Sequence, residues 1–153
     1  LQRQAGGKPT IITRTANAGE KITLLDGSEP QLDSQTELVT DTVGPLSIAG
    51  VMGGGETGVN SETRNVLVES ANWNFINLRK TLSRTRISSE AAYRFSRDVH
   101  PALAETALGL CLKRVWEWGG GEVVQGVLDE YPVPYADTVN RLSEESIREV
   151  VGQ

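Results

Sequence analysis

The sequence predicts an α+β domain with a mainly antiparallel β first half that contains hairpins, helices concentrated in the second half, and layered packing of sheet and helices. Short β-branched runs separated by glycine turns occupy the first half. Amphipathic runs with apolar residues three and four positions apart begin at Phe75. A length of 153 residues is enough for one domain with its own hydrophobic core.

The strands are predicted from apolar runs bounded by turn sequences. The turn at 17–19 suggests that the second run returns beside the first as a hairpin, and the Asp-Gly pair at 26–27, a strong hairpin-turn dipeptide, follows the second run. Gly44-Pro45 separates two further runs, and 31–38 is ambiguous. The predicted strands are Thr10–Ala16, Glu20–Leu25, Glu37–Thr42, Leu46–Val51 and Arg64–Ser70, the last of which is apolar enough to be buried.

The clearest helix is predicted over Pro101–Trp118. Proline is favoured at the first helical position, and the glycines at 119–121 end the pattern. Its broad apolar face consists of Leu103, Ala107, Leu108, Cys111, Leu112 and Val115. The other predicted elements are helices over Phe75–Ser83, Ser88–Phe95 and Ser143–Gly152, and a last strand over Glu122–Leu128.

The chain is expected to be a piece of a longer polypeptide. It has no initiator methionine, and a proline-containing linker precedes the final helix, which Ser143 can cap. We therefore predict a domain over residues 1–131 that lacks its upstream segment. Residues 132–153 are predicted to be a linker and the start of a following module.

Composition restricts the possible functions. A net charge of −5 disfavours binding of nucleic acid by the whole surface, but the segment Arg79–Arg97 contains six cations and only one acid. These cations either hold phosphates or are solvated and paired with acids elsewhere. No apolar run approaches the roughly 20 residues of a membrane helix. One cysteine and one histidine exclude an internal disulfide and argue against a metal site, so a cytoplasmic setting without membrane partners is predicted.

The stretch from Ala49 to Asp98 contains the residues best suited to form a site. Glycine clusters allow close backbone approach, and an acid, Glu69, ends the apolar run that follows. The stretch has no phosphate-loop or dinucleotide fingerprint. On the residues alone, Gly53 can be a turn glycine, Glu69 an acid paired with an arginine, and Ser89 a helix cap. His100 is expected to cap a turn or helix rather than to act in catalysis.

Three ordered motifs in this stretch resemble the beta subunit of bacterial-type phenylalanyl-tRNA synthetase. They are IAGVMGG, NVLVESANWN and LRKTLSRTRISSEAAYRFSRDVHP, preceded by the hairpin-like ITRTANAGEKITLLDG. The resemblance covers about Ile11 to Tyr131. It implies a tRNA-editing domain that hydrolyses tyrosine wrongly attached to the phenylalanine tRNA, in the intact enzyme and by means of a positioned water.

Carried over residue by residue, the resemblance implies an amino-acid pocket. Glu69 would select the tyrosine hydroxyl, Gly53 would allow close approach of the backbone, and Ala91 would leave room for the ring. The implied pocket residues are Ala49, Gly50, Gly53, Glu69, Ser89 and Ala91, and no catalytic residue is assigned. From the basic segment, Arg79, Lys80, Arg84 and Arg86 are predicted to contact tRNA.

The resemblance also implies partners and cofactors. The chain itself needs no cofactor or metal, whereas ATP and magnesium serve the whole enzyme. The implied partners are tRNA(Phe), tyrosyl-tRNA(Phe) and the alpha subunit, in a heterotetramer of two alpha and two beta subunits. The alternative is a structural or tRNA-contacting module of the same subunit that has no editing activity.

The sequence departs from the family in three places. A family histidine motif that contributes to the pocket would stand just upstream of Leu1, so the site in this chain is expected to be incomplete. The family's RGVDP is here 97–101, with Asp98 in place of glycine and His100 in place of the acid. The family's RFER is here 94–97, with Ser96 in place of the acid. The loss of this acid is expected to affect local salt bridges more than the pocket.

Overall fold

The computed structural model describes residues 10–152, and it confirms the α+β prediction. An antiparallel sheet of order β1-β2-β3-β4 forms in the first half, and the described helices follow it. The strands are β1 Ile12–Thr15, β2 Glu37–Thr40, β3 Pro45–Ile48 and β4 Met52–Gly53. The helices are α1 Phe75–Thr85, α2 Glu90–Phe95, α3 Leu103–Gly119 and α4 Glu144–Val151, and a short 3-10 turn spans Gly55–Thr57.

The core lies between the sheet and the first two helices. Leu38 and Ile48 are paired across β2 and β3 and are almost completely buried. Leu78 of α1 and Ala92 of α2 pack into the same cluster. Helices therefore cover one face of the sheet, which is the layered packing expected of an α+β domain.

The predicted hairpin over residues 10–25 is wrong, because β1 pairs with β2 instead. Residues 20–25 form no regular strand, and Leu24 makes only an isolated bridge to Gly54. The reason is burial: Ile22 and Leu24 enter the core, and the backbone between them runs beside β4, where Gly55 N donates to Thr23 O at 2.9 Å. Core packing thus overrides the local turn signal.

Two other predicted strands are absent from the described structure. Arg64–Ser70 forms no strand and no ladder, and Val66 and Leu67 remain exposed. Glu122–Leu128 also forms no strand, and Leu128 is fully exposed. Both runs are apolar enough for a strand, but neither has a neighbouring strand in residues 10–152. Strand formation depends on such neighbours rather than on propensity alone.

The helices lie where they are predicted, with shifted ends that local hydrogen bonds explain. Asn74 caps α1, which continues two residues beyond the predicted end and stops at Arg86, in the left-handed conformation. Helix α3 begins at Leu103 rather than Pro101, because Leu103 N donates to His100 O in an i→i+3 turn. Asp98 also has a positive φ of 63°, a conformation that aspartate tolerates better than most residues.

The apolar face of α3 is not fully covered in the described structure, since the helix has no buried residue and Leu103 is 55% exposed. By compactness the chain divides into one unit up to Val123 and a second from Val124. The second unit contains α4, which Ser143 caps and Gly152 ends, as predicted. The predicted domain boundary at 131 remains a prediction, and residues 1–9 and 153 lie outside the described residues.

Candidate functional site

An open cavity of about 420 Å³ is lined by the turn that joins β3 to β4, by the segment 69–73 and by the start of α3. Most of its wall is apolar, with Val51, Met52, Trp73, Ala91, Phe95 and Leu103 among the lining residues. Its polar lining side chains are Ser47, Glu69, Ser70 and His100. A mostly apolar wall with a few polar groups is typical of small-molecule sites, and the volume lies within their usual range of about 300–1,000 Å³.

The turn between β3 and β4 requires glycine at position 50. Gly50 has a φ of 65°, and a Cβ there would lie 2.6 Å from Trp73 Cδ1 and 2.7 Å from Leu78 Cδ1. Both the backbone conformation and the close packing therefore exclude a side chain. This turn brings Gly50 to the cavity wall next to Trp73, and Gly53 of β4 lines the same cavity.

Glu69 is the acid of the cavity, and it has no cation or hydrogen-bond donor as a partner within residues 10–152. Glu69 as a residue is exposed to solvent, yet protein atoms around its carboxyl partly desolvate that group and raise its pKa. Desolvation disfavours the charged form of a carboxylate when no opposite charge compensates for it. The alternative of a carboxylate paired with an arginine is therefore not realised in the part of the chain described.

Ser89 combines a cap with a contact between elements. Its hydroxyl accepts from Ala92 N at 3.0 Å at the start of α2 and donates to Val51 O at 2.6 Å. Ala49 is buried and donates its N–H to Glu37 O at 3.0 Å. Neither residue lines the cavity, but Ser89 bonds to Val51 and Ala49 precedes Gly50, and both of these partners do line it.

The structure thus separates the predicted pocket residues into two groups. Gly50, Gly53, Glu69 and Ala91 line one cavity, and Ala49 and Ser89 adjoin the turn that forms its wall. Sequence reasoning missed Trp73, Phe95 and Ser70 as lining residues. The apolar aromatic side chains at 73 and 95 were the available signal, but they are equally typical of a core.

His100 has the turn role that the sequence predicts, since its Nδ1 accepts from Ala102 N at 3.2 Å. It also lines the cavity, which the sequence did not indicate. No group of three or more His, Cys, Asp or Glu residues in 10–152 is arranged to hold a metal ion. Of the described helices, none has the length and apolar character needed to cross a membrane.

The basic segment is largely used for contacts within the domain. Arg79 Nε donates to Ser96 O at 2.7 Å, and Arg84 Nη2 forms a 2.8 Å ion pair with Asp33 Oδ1. Lys80 and Arg86 are exposed, and their side chains form no ion pair in the described part of the chain. Of the four predicted tRNA contacts, these two are the ones whose charges are not engaged locally.

These features define a class: a small α+β domain with an open, mostly apolar ligand cavity that contains one carboxylate. Residues 3–120 match the family described as the B3/4 domain. The chain belongs to this family, and the resemblance to phenylalanyl-tRNA synthetase beta subunits is confirmed.

The similar proteins are phenylalanine–tRNA ligase beta subunits, which are parts of an aminoacyl-tRNA synthetase. That of Clostridium acetobutylicum is 38% identical over 123 residues, covering 80% of this chain and 16% of that protein. That of Symbiobacterium thermophilum is 37% identical over 142 residues, covering 93% of this chain and 16% of that protein. That of Syntrophotalea carbinolica is 34% identical over 151 residues, covering 99% of this chain and 18% of that protein. The chain therefore spans less than a fifth of these relatives.

Proposed function

We propose that the chain is an editing domain that hydrolyses tyrosyl-tRNA(Phe) within an assembled phenylalanyl-tRNA synthetase. The observation that carries this proposal is Glu69, a carboxylate without a protein partner among the described residues, in the wall of a mostly apolar cavity. A partly desolvated acceptor of this kind favours a ligand that brings its own donor, because a desolvated polar group without a hydrogen bond is costly.

Tyrosine matches this cavity chemically. Its ring would lie against apolar groups such as Trp73 and Phe95, and its phenolic hydroxyl would donate to the Glu69 carboxylate. Phenylalanine fits the same apolar wall but leaves the carboxylate without a donor. A site built to hydrogen-bond a hydroxyl rejects the analogue that lacks it much more strongly than an apolar pocket rejects an added hydroxyl. Editing by hydroxyl selection is therefore physically reasonable here.

Hydrolysis of the ester requires a positioned water. The chain has one histidine and one cysteine, and Cys111 lies on α3 outside the cavity lining. We propose that backbone and polar groups of the cavity hold the water, with help from the terminal hydroxyl of the tRNA. In this proposal the chain needs no cofactor, and ATP and magnesium serve aminoacylation elsewhere in the enzyme.

The deciding experiment measures deacylation of tyrosyl-tRNA(Phe) and phenylalanyl-tRNA(Phe) by the assembled synthetase. Glu69→Ala should lower the tyrosine-over-phenylalanine preference by about 10- to 100-fold, the usual effect of losing a hydrogen bond to a charged group. Glu69→Gln should retain part of the preference, since its amide oxygen still accepts. Glu62→Ala, which removes an exposed acid outside the cavity, is the matched control. An unchanged preference in Glu69→Ala would remove Glu69 from the mechanism.

The partners follow from the same proposal: a cytoplasmic heterotetramer of two alpha and two beta subunits that binds tRNA(Phe). Lys80 and Arg86 are the cations best placed to meet phosphates, because Arg79 and Arg84 are engaged within the domain. A Lys80→Ala, Arg86→Ala double variant should weaken tRNA binding and reduce its salt dependence. The alternative, a structural or tRNA-contacting module without editing, predicts this loss of binding together with no effect of Glu69→Ala on deacylation.

A further inference from the structure

The backbone that carries Glu69 is held in an unusual way. Residues 64–70 have no regular secondary structure and belong to no sheet, so no ladder of hydrogen bonds fixes them in the described structure. The side chains one and three residues after Glu69 make long-range bonds instead. Ser70 Oγ donates to Ala104 O at 2.7 Å, and Asn72 Nδ2 donates to Val99 O. These two bonds join positions 34 and 27 residues apart in sequence.

Both acceptors belong to residues that line the cavity. Ala104 lies in the first turn of α3, and Val99 lies in the connection between α2 and α3. Val99 and Ala104 line the cavity together with Ser70 and Glu69. The Ser70 and Asn72 bonds therefore link the segment that carries Glu69 to α3 and to the connection before it, and both of these contribute residues to the cavity lining.

We propose that Ser70 and Asn72 are positioning residues, which act as a clamp that holds the Glu69 carboxylate against the apolar wall and so sets its selectivity. The inference rests on the proposed function, because the selectivity in question is that for tyrosyl- over phenylalanyl-tRNA(Phe). The clamp itself can be tested without that function. Neither residue is required to touch the ligand. Ser70 and Asn72 instead determine the position and the solvation of the Glu69 carboxylate.

The solvation of Glu69 provides a readout that is independent of activity. Burial raises the pKa of the Glu69 carboxyl, so a segment released from α3 would return the carboxyl to water and its pKa toward the ordinary value. His100 is the other titratable group that lines the cavity, from the α2–α3 connection. Glu69 and His100 must therefore both be followed in a titration.

The first experiment titrates the side-chain carboxyl carbon of Glu69 by NMR in the full chain, with the single histidine followed in the same samples. In Ser70→Ala the pKa of Glu69 should fall toward that of an exposed glutamate. Ser70→Thr, which keeps the hydroxyl, should restore the higher pKa. Ser61→Ala, at an exposed serine whose hydroxyl bonds to the neighbouring Glu62, should not change it. An unchanged pKa in Ser70→Ala would overturn the clamp. If Ser70→Ala does not fold, Asn72→Ala breaks the second bond and is judged by the same criterion.

The second experiment measures deacylation kinetics of the assembled synthetase. Ser70→Ala should raise KM for tyrosyl-tRNA(Phe) by roughly tenfold with a smaller change in kcat, as expected for weakened ligand binding, and Ser70→Thr should behave as the parent. If the parent does not hydrolyse tyrosyl-tRNA, the proposed function fails and the titration alone decides on the clamp. If the parent edits and Ser70→Ala edits with the same KM, the clamp is wrong while the proposed function stands.

Discussion

The hydroxyl of Ser89 donates a 2.6 Å hydrogen bond to the carbonyl oxygen of Val51, which lies 38 residues earlier in the chain. The same oxygen accepts from Ala92 N and so caps α2. One side chain therefore fixes the start of a helix and the glycine turn that forms a cavity wall. The interpretation of Ser89 as a helix cap and its implied place in the pocket region are compatible, because the hydroxyl serves both.

Replacing Ser89 should destabilise the domain and loosen the turn. Ser89→Ala removes a cap, worth about 1 kcal/mol, and a partly buried hydrogen bond of about 1 kcal/mol. We therefore expect a loss of about 2 kcal/mol in the free energy of unfolding, measured by urea denaturation. Ser89→Thr keeps both bonds and should remain close to the parent. A loss in Ser89→Thr as large as that in Ser89→Ala would show that the hydroxyl is not the stabilising group.

Gly50→Ala should be strongly destabilising. A positive φ costs an ordinary residue about 1–2 kcal/mol, and overlap with Trp73 and Leu78 adds about 1–3 kcal/mol. Gly109→Ala is the matched control, because Gly109 lies inside α3 and a Cβ there meets nothing within 4 Å. The control should be more stable than the parent by about 0.5–1 kcal/mol, since alanine is the better helix former. Equal effects of the two changes in thermal unfolding would contradict the packing described around Gly50.

Glu69→Gln should stabilise the domain at neutral pH and not at low pH. Because folding raises the pKa of Glu69, the folded state binds the proton more tightly than the unfolded state. The parent's stability therefore falls as pH rises from the ordinary glutamate pKa through the raised one. The uncharged glutamine avoids this cost. Unfolding measured across this pH range should show the advantage of Glu69→Gln appearing with increasing pH; an advantage that is constant with pH would have another origin.

Glu20 should show the opposite pH dependence. Its carboxylate forms a two-point ion pair with Arg14, at 2.6 and 2.8 Å, and accepts from Asn17 N. These bonds hold the pKa of Glu20 below its ordinary value, chiefly through the bond to Arg14. The stability from this pair is present above the unfolded-state pKa and is lost as pH falls through the folded-state pKa. Glu20→Gln should therefore be less stable than the parent at neutral pH, with a difference that vanishes in acid; a difference that persists in acid would contradict this role.

Local sequence signals predicted the helices well. Ser89, Ser143 and Gly152 end or begin helices where their residue types predict, because caps depend on bonds within a few residues. The strands were harder to predict. Residues 20–25 and 64–70 resemble strands in composition, but whether a run joins a sheet depends on a neighbouring strand, which can lie far away in sequence.

The candidate site likewise has some features that the sequence predicts and others that only the tertiary structure determines. The glycine turn and Glu69 can be found from residue types alone, since a positive φ and an acid at the end of an apolar run leave a mark in the sequence. Three features of the site leave no such mark. Glu69 has no arginine partner in the described residues, Ser70 bonds to α3, and His100 lines the same cavity. These features depend on contacts across 27 residues or more or on the packing of helix against sheet. Such contacts are set by how the core packs, and the core assembles from residues distant in sequence.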